Sequence, residues 1–168
     1  MKTVQLLVVG AVMFAVAGAE VGATPEQPVI GLTLMSFYNP FFLALRDGAS
    51  AVMTATGGEL IEHDSYQENA RQIEGMEAFV AKKVDGILLN AFDATGILPA
   101  VIAANDAGIP IVTVDTGVSG GSVTSYVASD NVMAGRLCGE SVVKRWTAKY
   151  GKPAGNIVII DPLPAVGG

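Results

Sequence analysis

The chain has 168 residues, of which 51% are hydrophobic and 15% are charged, and its formal net charge is −6. The hydrophobic fraction excludes an intrinsically disordered chain, and the acidic balance argues against nucleic acids and anionic membrane surfaces as partners. Because Cys138 is the single cysteine, the sequence excludes an internal disulfide and a cysteine-cluster metal site. The length suits one domain, or one domain and part of a second.

The amino terminus has the pattern of a cleavable export signal. Lys2 supplies a positive charge, residues 6–16 form an apolar run that is too short for a stable membrane anchor, and Ala-Gly-Ala at residues 17–19 is a candidate cleavage site. We therefore assign residues 1–23 to a signal peptide and residues 24–28, which contain two prolines, to a linker. This signal predicts that the protein is exported.

After the linker, short apolar runs alternate with longer amphipathic segments. This alternation predicts an α/β fold in which a doubly wound parallel sheet is flanked by helices. The predicted strands are residues 29–35, 59–64, 86–90, 110–115, 124–128 and 156–160, and the predicted helices are residues 41–56, 68–83, 95–107 and 131–150. The residues predicted to face the core from the first three helices are Leu45, Ala49, Val52, Met53, Ile73, Met76, Val80, Leu98, Val101 and Ile102.

Parallel sheets of this kind bind ligands at the carboxyl ends of their strands. The side chains predicted at that edge are amides, carboxylates, hydroxyls and aromatics, without Arg or Lys and without a phosphate-binding glycine loop. This composition argues against a nucleotide or phosphate and favours a neutral, hydroxyl-rich molecule such as a sugar, whose ring can contact an aromatic face. The predicted edge residues are Ser36, Tyr38, Asn39, Phe41, Phe42, His63, Asp64, Asn90, Asp93, Asp115, Thr116, Ser129, Asp130 and Asn131.

Five blocks of the sequence, in this order, resemble one known family. The blocks are Ser-Phe-Tyr-Asn-Pro-Phe-Phe at residues 36–42, residues 84–90, residues 107–115, residues 128–131, and the glycine pair at 135 and 139. Together, behind a signal peptide, they resemble the ribose-binding protein family, the periplasmic solute-binding proteins of sugar ABC transporters.

The resemblance implies the type I periplasmic-binding fold and its division into lobes. Residues 29–128 would form an incomplete amino-terminal sugar-binding lobe, and residues 129–168 a hinge crossing and the start of a truncated carboxy-terminal lobe. Family members are about twice as long as the mature chain, so we expect this chain to carry half of a sugar site and to bind ligand weakly at best.

The resemblance also implies a function. The chain would belong to an exported protein that captures a neutral sugar or polyol, such as a ribose-like monosaccharide, and delivers it to the membrane permease of an ABC transporter. It implies no catalysis, no cofactor, no metal and no nucleic-acid partner, and a monomer when the protein is full length.

Three of the site residues lie together in the first block. Asn39 corresponds to an asparagine that hydrogen-bonds a sugar hydroxyl in the family. Phe41 and Phe42 correspond to an aromatic pair, of which at least one packs on the sugar ring.

The other three site residues follow later strands. Asn90 and Ser129 correspond to residues that contact the ligand in some members, and Asp115 to a carboxylate that accepts hydrogen bonds from sugar hydroxyls. Thr116 and Met35 depart from the ribose binders, which often have arginine and serine at these two places. These departures argue against ribose itself and leave a deoxy sugar, a hexose, a pentitol or another polyol open.

Structural roles suit the other polar residues better. Asp93 is expected to cap the helix near residue 95, and Asp130 the helix that follows it. His63, the single histidine, is expected on the surface, and Cys138 and Trp146 are expected to be packing residues.

Three alternatives share this fold class: an α/β enzyme, a phospho-accepting receiver domain and the core of a sugar-sensing repressor. A hydrolase of this fold would need a Gly-x-Ser-x-Gly nucleophile elbow, which the sequence lacks. A receiver would need clustered acids after its first strand, and a repressor a DNA-binding headpiece where this chain has a signal peptide. A binding protein is therefore the leading hypothesis.

Overall fold

A computed structural model describes residues 27–158 of the chain. The predicted signal peptide and most of the predicted linker lie outside the described residues, as do residues 159–168. The division into lobes at residues 128 and 129 stays a prediction.

The described chain forms a five-stranded parallel sheet with four helices. The strand order is β2-β1-β3-β4-β5, and every neighbouring pair is parallel. This order reverses at β1, so the gap between the connections that leave β1 and β3 is the place where such sheets bind ligands. The elements are β1 (Val29–Leu34), α1 (Pro40–Thr56), β2 (Glu59–Asp64), α2 (Asn69–Lys82), β3 (Gly86–Leu89), α3 (Leu98–Asp106), β4 (Ile111–Val114), β5 (Ser125–Val127) and α4 (Asn131–Tyr150).

Two apolar clusters cover the sheet, and β3 divides its side chains between them. Ile87 and Leu89 belong to the larger cluster, which α2 and α3 complete. Leu88, between them, packs against the cluster of Leu32, Leu34 and α1. Successive side chains of a strand point to opposite faces, so this division places helices on both faces and confirms the predicted doubly wound sheet.

The start of α1 is fixed by its own sequence. Asn39 caps the helix, since its Oδ1 accepts a hydrogen bond from the Phe41 N–H at 2.9 Å. Pro40 occupies the first helical position, where its missing N–H costs no hydrogen bond. Gly57, with a φ of 72°, ends the helix in the left-handed conformation that glycine adopts without steric cost.

Two predicted elements differ from the observed ones by more than one residue at an end. The third helix begins at Leu98 rather than at residue 95, because the Asp93 carboxylate accepts hydrogen bonds from the Thr95 and Gly96 N–H groups and holds them in a preceding turn. The strand predicted over residues 156–160 is not present at residues 156–158, which pair with no strand of the described sheet. The remaining two of its residues lie outside the described part of the chain.

Two predictions of inward-facing residues are wrong. Val52 is 61% exposed and Ile102 is 50% exposed. The buried residues of their helices are instead Phe42 and Met53 in α1 and Ala100, Val101 and Ala104 in α3. Phe79 and Gln72 are buried members of the α2 stripe that the spacing argument missed.

The last helix, α4, has a capped start but an open surface. The Asp130 carboxylate accepts a hydrogen bond from the Met133 N–H at 2.7 Å, which confirms the predicted cap. Within the described part of the chain α4 buries no residue, so Cys138 is exposed and its predicted packing role is wrong. Trp146 is partly buried and lies near Gly155. No helix within residues 27–158 is long and apolar enough to cross a membrane.

Candidate functional site

A cleft of about 680 Å³ opens beside the carboxyl end of β4. Asp115, the residue directly after β4, lines it and is partly buried. Among the described lining residues Asp115 is the single charged one, so the cleft combines one carboxylate with neutral groups. The other polar side chains of the lining are Thr113, Thr116, Ser119, Tyr126 and Asn131.

The backbone of Asp115 is held in an uncommon conformation. Its φ is 63°, and the N–H of Thr116 donates to the carbonyl of Val114 at 2.7 Å, which closes a three-residue turn around it. The Asp115 N–H donates to the Val127 carbonyl at 2.8 Å, and the Tyr126 hydroxyl donates to the Asp115 carbonyl at 2.9 Å. Left-handed backbone at a non-glycine residue costs on the order of 1–3 kcal/mol and persists where its surroundings over-determine it.

Asn90 lies beneath this turn and is 0% exposed. Its Oδ1 accepts a hydrogen bond from the Met35 N–H at 3.3 Å, and its Nδ2 donates to the Val114 carbonyl at 3.0 Å. The same Nδ2 donates to Oδ2 of Asp115 at 3.4 Å. The structure therefore places Asn90 as a buried tie between the ends of β1, β3 and β4, and its predicted contact with a ligand stays a prediction.

The two phenylalanines of the first block have different surroundings. Phe42 is 8% exposed and belongs to the core cluster with Leu32 and Leu34. Phe41 is 47% exposed, and its ring meets that of Phe42 edge-on with the centroids 5.2 Å apart. Of the pair, Phe41 is the one whose ring remains available to a ligand.

Asn39 and Ser129 are both exposed. Asn39 uses its Oδ1 for the helix cap, and none of the described residues accepts a hydrogen bond from its Nδ2. Ser129 lies in the segment between β5 and α4. Their predicted ligand contacts stay predictions, as do those of the other candidate residues.

Gln72 is the residue beneath the site that the sequence argument missed. It is 0% exposed, its Nε2 donates to the carbonyl of Asn90 at 2.9 Å, and its Oε1 accepts from the N–H of Phe92 at 2.9 Å. A signal was present, since Gln72 shares the inward stripe of α2 with Met76 and Phe79. A polar side chain on an apolar stripe needs buried partners.

His63 belongs to β2, and its side chain packs against Gly75 of α2 and is partly buried rather than exposed as predicted. Its Nδ1 is 3.2 Å from Oγ1 of Thr33, and its ring meets the ring of Phe79 edge-on. Burial lowers the pKa of His63 from its usual value, against the opposing effect of the Asp64 and Glu74 carboxylates.

Asp93 caps the turn before α3 rather than the helix itself, whose first residue is Leu98, so its predicted role as the cap of that helix is wrong. The hydrogen bonds from the N–H groups of Gly96 and Thr95, at 2.8 and 2.9 Å, lower the pKa of its carboxyl. Within residues 27–158, His, Cys, Asp and Glu side chains form no group of three or more that could hold a metal ion.

A second cleft, of about 660 Å³, lies at the opposite edge of the sheet. Its lining includes Lys83, Val84 and Asp85 before β3, and Gly108 and Pro110 before β4. It therefore faces the amino ends of the strands, away from all the predicted site residues. Because it contains none of those residues, it can serve as the control cleft when ligand binding is measured.

Comparison with known proteins identifies the family. The sequence model of the periplasmic binding protein domain matches residues 30–166. The chain belongs to the periplasmic binding protein family. This confirms the resemblance drawn from the sequence blocks and the fold that it implies.

Three similar proteins show the extent of the likeness. The ribose import binding protein of Escherichia coli K12 is 31% identical over 145 residues, which are 86% of this chain and 48% of that protein. The ribose import binding protein of Bacillus subtilis 168 is 33% identical over 139 residues, or 83% of this chain and 44% of that protein. A crystal structure of an ABC transporter solute binding protein from Mycobacterium smegmatis with bound glycerol is 32% identical, with a TM-score of 0.68 over 71% of this chain and 41% of that one. The chain thus spans about half the length of the curated relatives it matches.

Proposed function

We propose that this chain carries a ligand-binding edge of an exported solute-binding protein. That protein captures a neutral sugar or polyol in the periplasm and delivers it to the membrane permease of an ABC transporter, without catalysis. Membership of the periplasmic binding protein family supports the proposal, as does the likeness to two ribose import binding proteins.

The position of Asp115 is the observation that carries the proposal. Its carboxylate is the one charged group among the described residues of the cleft, and hydrogen bonds fix the backbone on both sides of it. A carboxylate accepts hydrogen bonds from two hydroxyls at once, and such bonds are about twice as strong as neutral ones. An anionic ligand would meet repulsion there, since the described lining supplies no Lys or Arg to offset the charge.

Two further side chains suit a polyol at the same edge. The exposed Phe41 ring offers an apolar face to the C–H groups of a sugar. Asn39, one residue before α1 begins, is exposed, and its Nδ2 donates no hydrogen bond to any of the described residues. Together with Asp115 they supply an acceptor, a donor and an apolar surface, which are the three kinds of contact that a sugar ring needs.

Ligand-observed saturation-transfer NMR on the purified chain tests the proposal. The panel contains D-ribose, xylitol, glycerol and myo-inositol, with D-ribose 5-phosphate as the anionic counterpart of D-ribose. We expect at least one neutral compound to receive saturation and the phosphate to receive none, with a Kd of about 1 mM or weaker, or about −4.1 kcal/mol, because the described cleft contacts a ligand from one side.

Two variants separate specific binding from general contact. Asp115→Ala should abolish the saturation of the neutral compound, whereas Asp106→Ala, which removes an exposed carboxylate at the end of α3, should leave it unchanged. Saturation of the phosphate alone, or of no compound in the panel, would contradict the proposal.

A further inference from the structure

Two buried amide side chains lie in series beneath the proposed site. Gln72 of α2 and Asn90 after β3 are both 0% exposed. A buried amide costs free energy unless its polar atoms find hydrogen-bond partners. Both amides find them. Four of these partners are backbone groups at the carboxyl ends of the strands. The other three are side-chain oxygens, of Thr33 and Asp115 at 3.4 Å and of Thr116 at 3.5 Å.

Gln72 brackets the backbone that directly follows β3. Its Nε2 donates to the Asn90 carbonyl at 2.9 Å, and its Oε1 accepts from the Phe92 N–H at 2.9 Å. The two bonds have opposite polarity and join the peptide groups on either side of Ala91. A carboxylate could accept from Phe92 but would face the Asn90 carbonyl without a proton, so an amide suits this place and an ionised acid does not.

Asn90 carries this constraint to the turn at Asp115. Its Nδ2 donates to the Val114 carbonyl at 3.0 Å, and that carbonyl also accepts from the Thr116 N–H at 2.7 Å. This second bond closes the turn in which Asp115 has a φ of 63°. The Asn90 amide also reaches Oδ2 of Asp115 at 3.4 Å, so one side chain holds both the turn and the carboxylate.

We infer that Gln72 is a positioning residue of the ligand site, which fixes Asn90 and, through Asn90, the turn and the carboxylate of Asp115. That this role serves ligand binding rests on the proposed function, whereas the hydrogen bonds of Gln72 and Asn90 are present without a ligand. Gln72 itself touches no ligand, because it is 0% exposed. Asn90 lies between it and Asp115, the residue that lines the cleft.

If Gln72 had a purely structural role, its loss would lower stability without changing the surroundings of Asp115. Asn105 provides a matched control for this alternative. Asn105 of α3 brackets Ser122 in the same manner: its Nδ2 donates to the Ser122 carbonyl at 3.0 Å and its Oδ1 accepts from the Ser122 N–H at 2.7 Å. This bracket is outside the chain of hydrogen bonds that leads to Asp115. Gln72→Met and Asn105→Leu each remove one bracketing amide while approximately keeping the side-chain volume.

The test is NMR on the isotope-labelled chain, without ligand. Gln72→Met should speed the hydrogen exchange of the Asn90 side-chain amide about tenfold, the change that corresponds to about 1.4 kcal/mol, and should shift the backbone signals of Asp115 and Thr116. Asn105→Leu should lower stability and leave those signals unchanged. If Gln72→Met lowers stability but changes neither the exchange nor the signals, Gln72 is a core residue only and the inference is overturned.

Two measurements keep the test decisive if Gln72→Met does not fold. In the unaltered chain, a scalar coupling between the Gln72 side-chain nitrogen and the Asn90 carbonyl carbon should be detectable, and its absence would overturn the inference. In Gln72→Glu, the Asp115 signals should return toward their original positions as acidification protonates residue 72, with the unaltered chain titrated in parallel. None of these readouts uses a ligand, so failure of the sugar panel and failure of this inference are separate results.

Discussion

At the scale of single residues, a substitution of Asp115 can separate the effect of its backbone conformation from the effect of its charge. Asparagine adopts the left-handed conformation about as readily as aspartate, so Asp115→Asn should keep the turn at φ 63° while it removes the charge. Because neutral hydrogen bonds are about half as strong as charged ones, we expect the affinity for the neutral polyol to fall about tenfold. Stability should change by about 0.5 kcal/mol or less, measured by urea unfolding.

Asp106→Asn is the control for this change, because it removes an exposed carboxylate outside the cleft. An Asp115→Asn chain that binds the polyol as tightly as the original would show that the carboxylate charge has no part in binding.

The two neighbouring phenylalanines should contribute differently, Phe42 mainly to stability and Phe41 mainly to binding. Phe42→Ala empties a core position that is 8% exposed, so it should cost about 3–5 kcal/mol of unfolding free energy. Phe41→Ala removes an exposed ring and its edge-on contact with Phe42, which costs about 0.5–1.5 kcal/mol, yet it should weaken binding of the polyol. Urea unfolding and saturation-transfer NMR on both variants measure the two effects. Equal loss of binding in two folded variants would argue against a ligand contact specific to Phe41.

At the scale of elements, two mid-helix glycines distinguish a free helix face from a packed one. A methyl group at Gly48 of α1 would extend into open space, so Gly48→Ala should stabilise the chain by about 0.5–1 kcal/mol. A Cβ at Gly75 of α2 would lie 2.5 Å from Nδ1 of His63, whose ring Thr33 and Phe79 confine. Gly75→Ala should therefore destabilise the chain by about 1–3 kcal/mol in urea unfolding. Stabilisation by both substitutions would show that α2 is not closely packed against β2.

The same α2–β2 contact should make stability depend on pH. Burial lowers the pKa of His63, so the unfolded chain binds a proton at a higher pH than the folded chain does. This contribution to stability is present above the unfolded pKa of about 6.5 and is lost as the pH falls through the lowered folded pKa. Urea unfolding over this range should show the loss, and His63→Asn, which places an oxygen near the Nδ1 position, should reduce it. An unchanged pH slope in that variant would assign the dependence to another group.

The elements that the sequence predicts well are those whose ends have local causes. The bounds of β2 and α4 agree with the prediction, because Gly58 precedes the first and Asp130 and Gly151 delimit the second. The predicted start of α3 is wrong because the Asp93 carboxylate captures two N–H groups in a turn, a choice that hydrophobic spacing does not reveal.

The candidate site was predictable in its location but not in its support. Asp115 follows a strand, and the topology alone places it at the carboxyl edge. Its left-handed backbone depends on Tyr126 and Val127, whose positions the strand pairing of β4 with β5 decides. Likewise, Gln72 reaches Asn90 only because α2 packs beneath β3, a contact between residues that are distant in sequence.

At the scale of the whole molecule, the described residues gather the proposed contacts at one edge of the sheet. Asn39 and Phe41 follow β1, and Asp115 follows β4, while Asn90 ties the two strand ends together. The opposite edge has a cleft of similar volume, about 660 Å³, that includes Lys83 and Gly108. The proposed function therefore assigns ligand binding to the cleft beside Asp115 and not to the cleft beside Lys83.

The sharpest test of the proposed site is a titration of the isotope-labelled chain with the neutral polyol that receives most saturation, followed by protein-observed NMR. We expect the backbone signals of Asn39, Phe41 and Asp115 to shift together with one Kd, while those of Lys83 and Gly108 stay in place. Shifts centred on Lys83 and Gly108, or no saturable shift at Asp115, would contradict the proposed site.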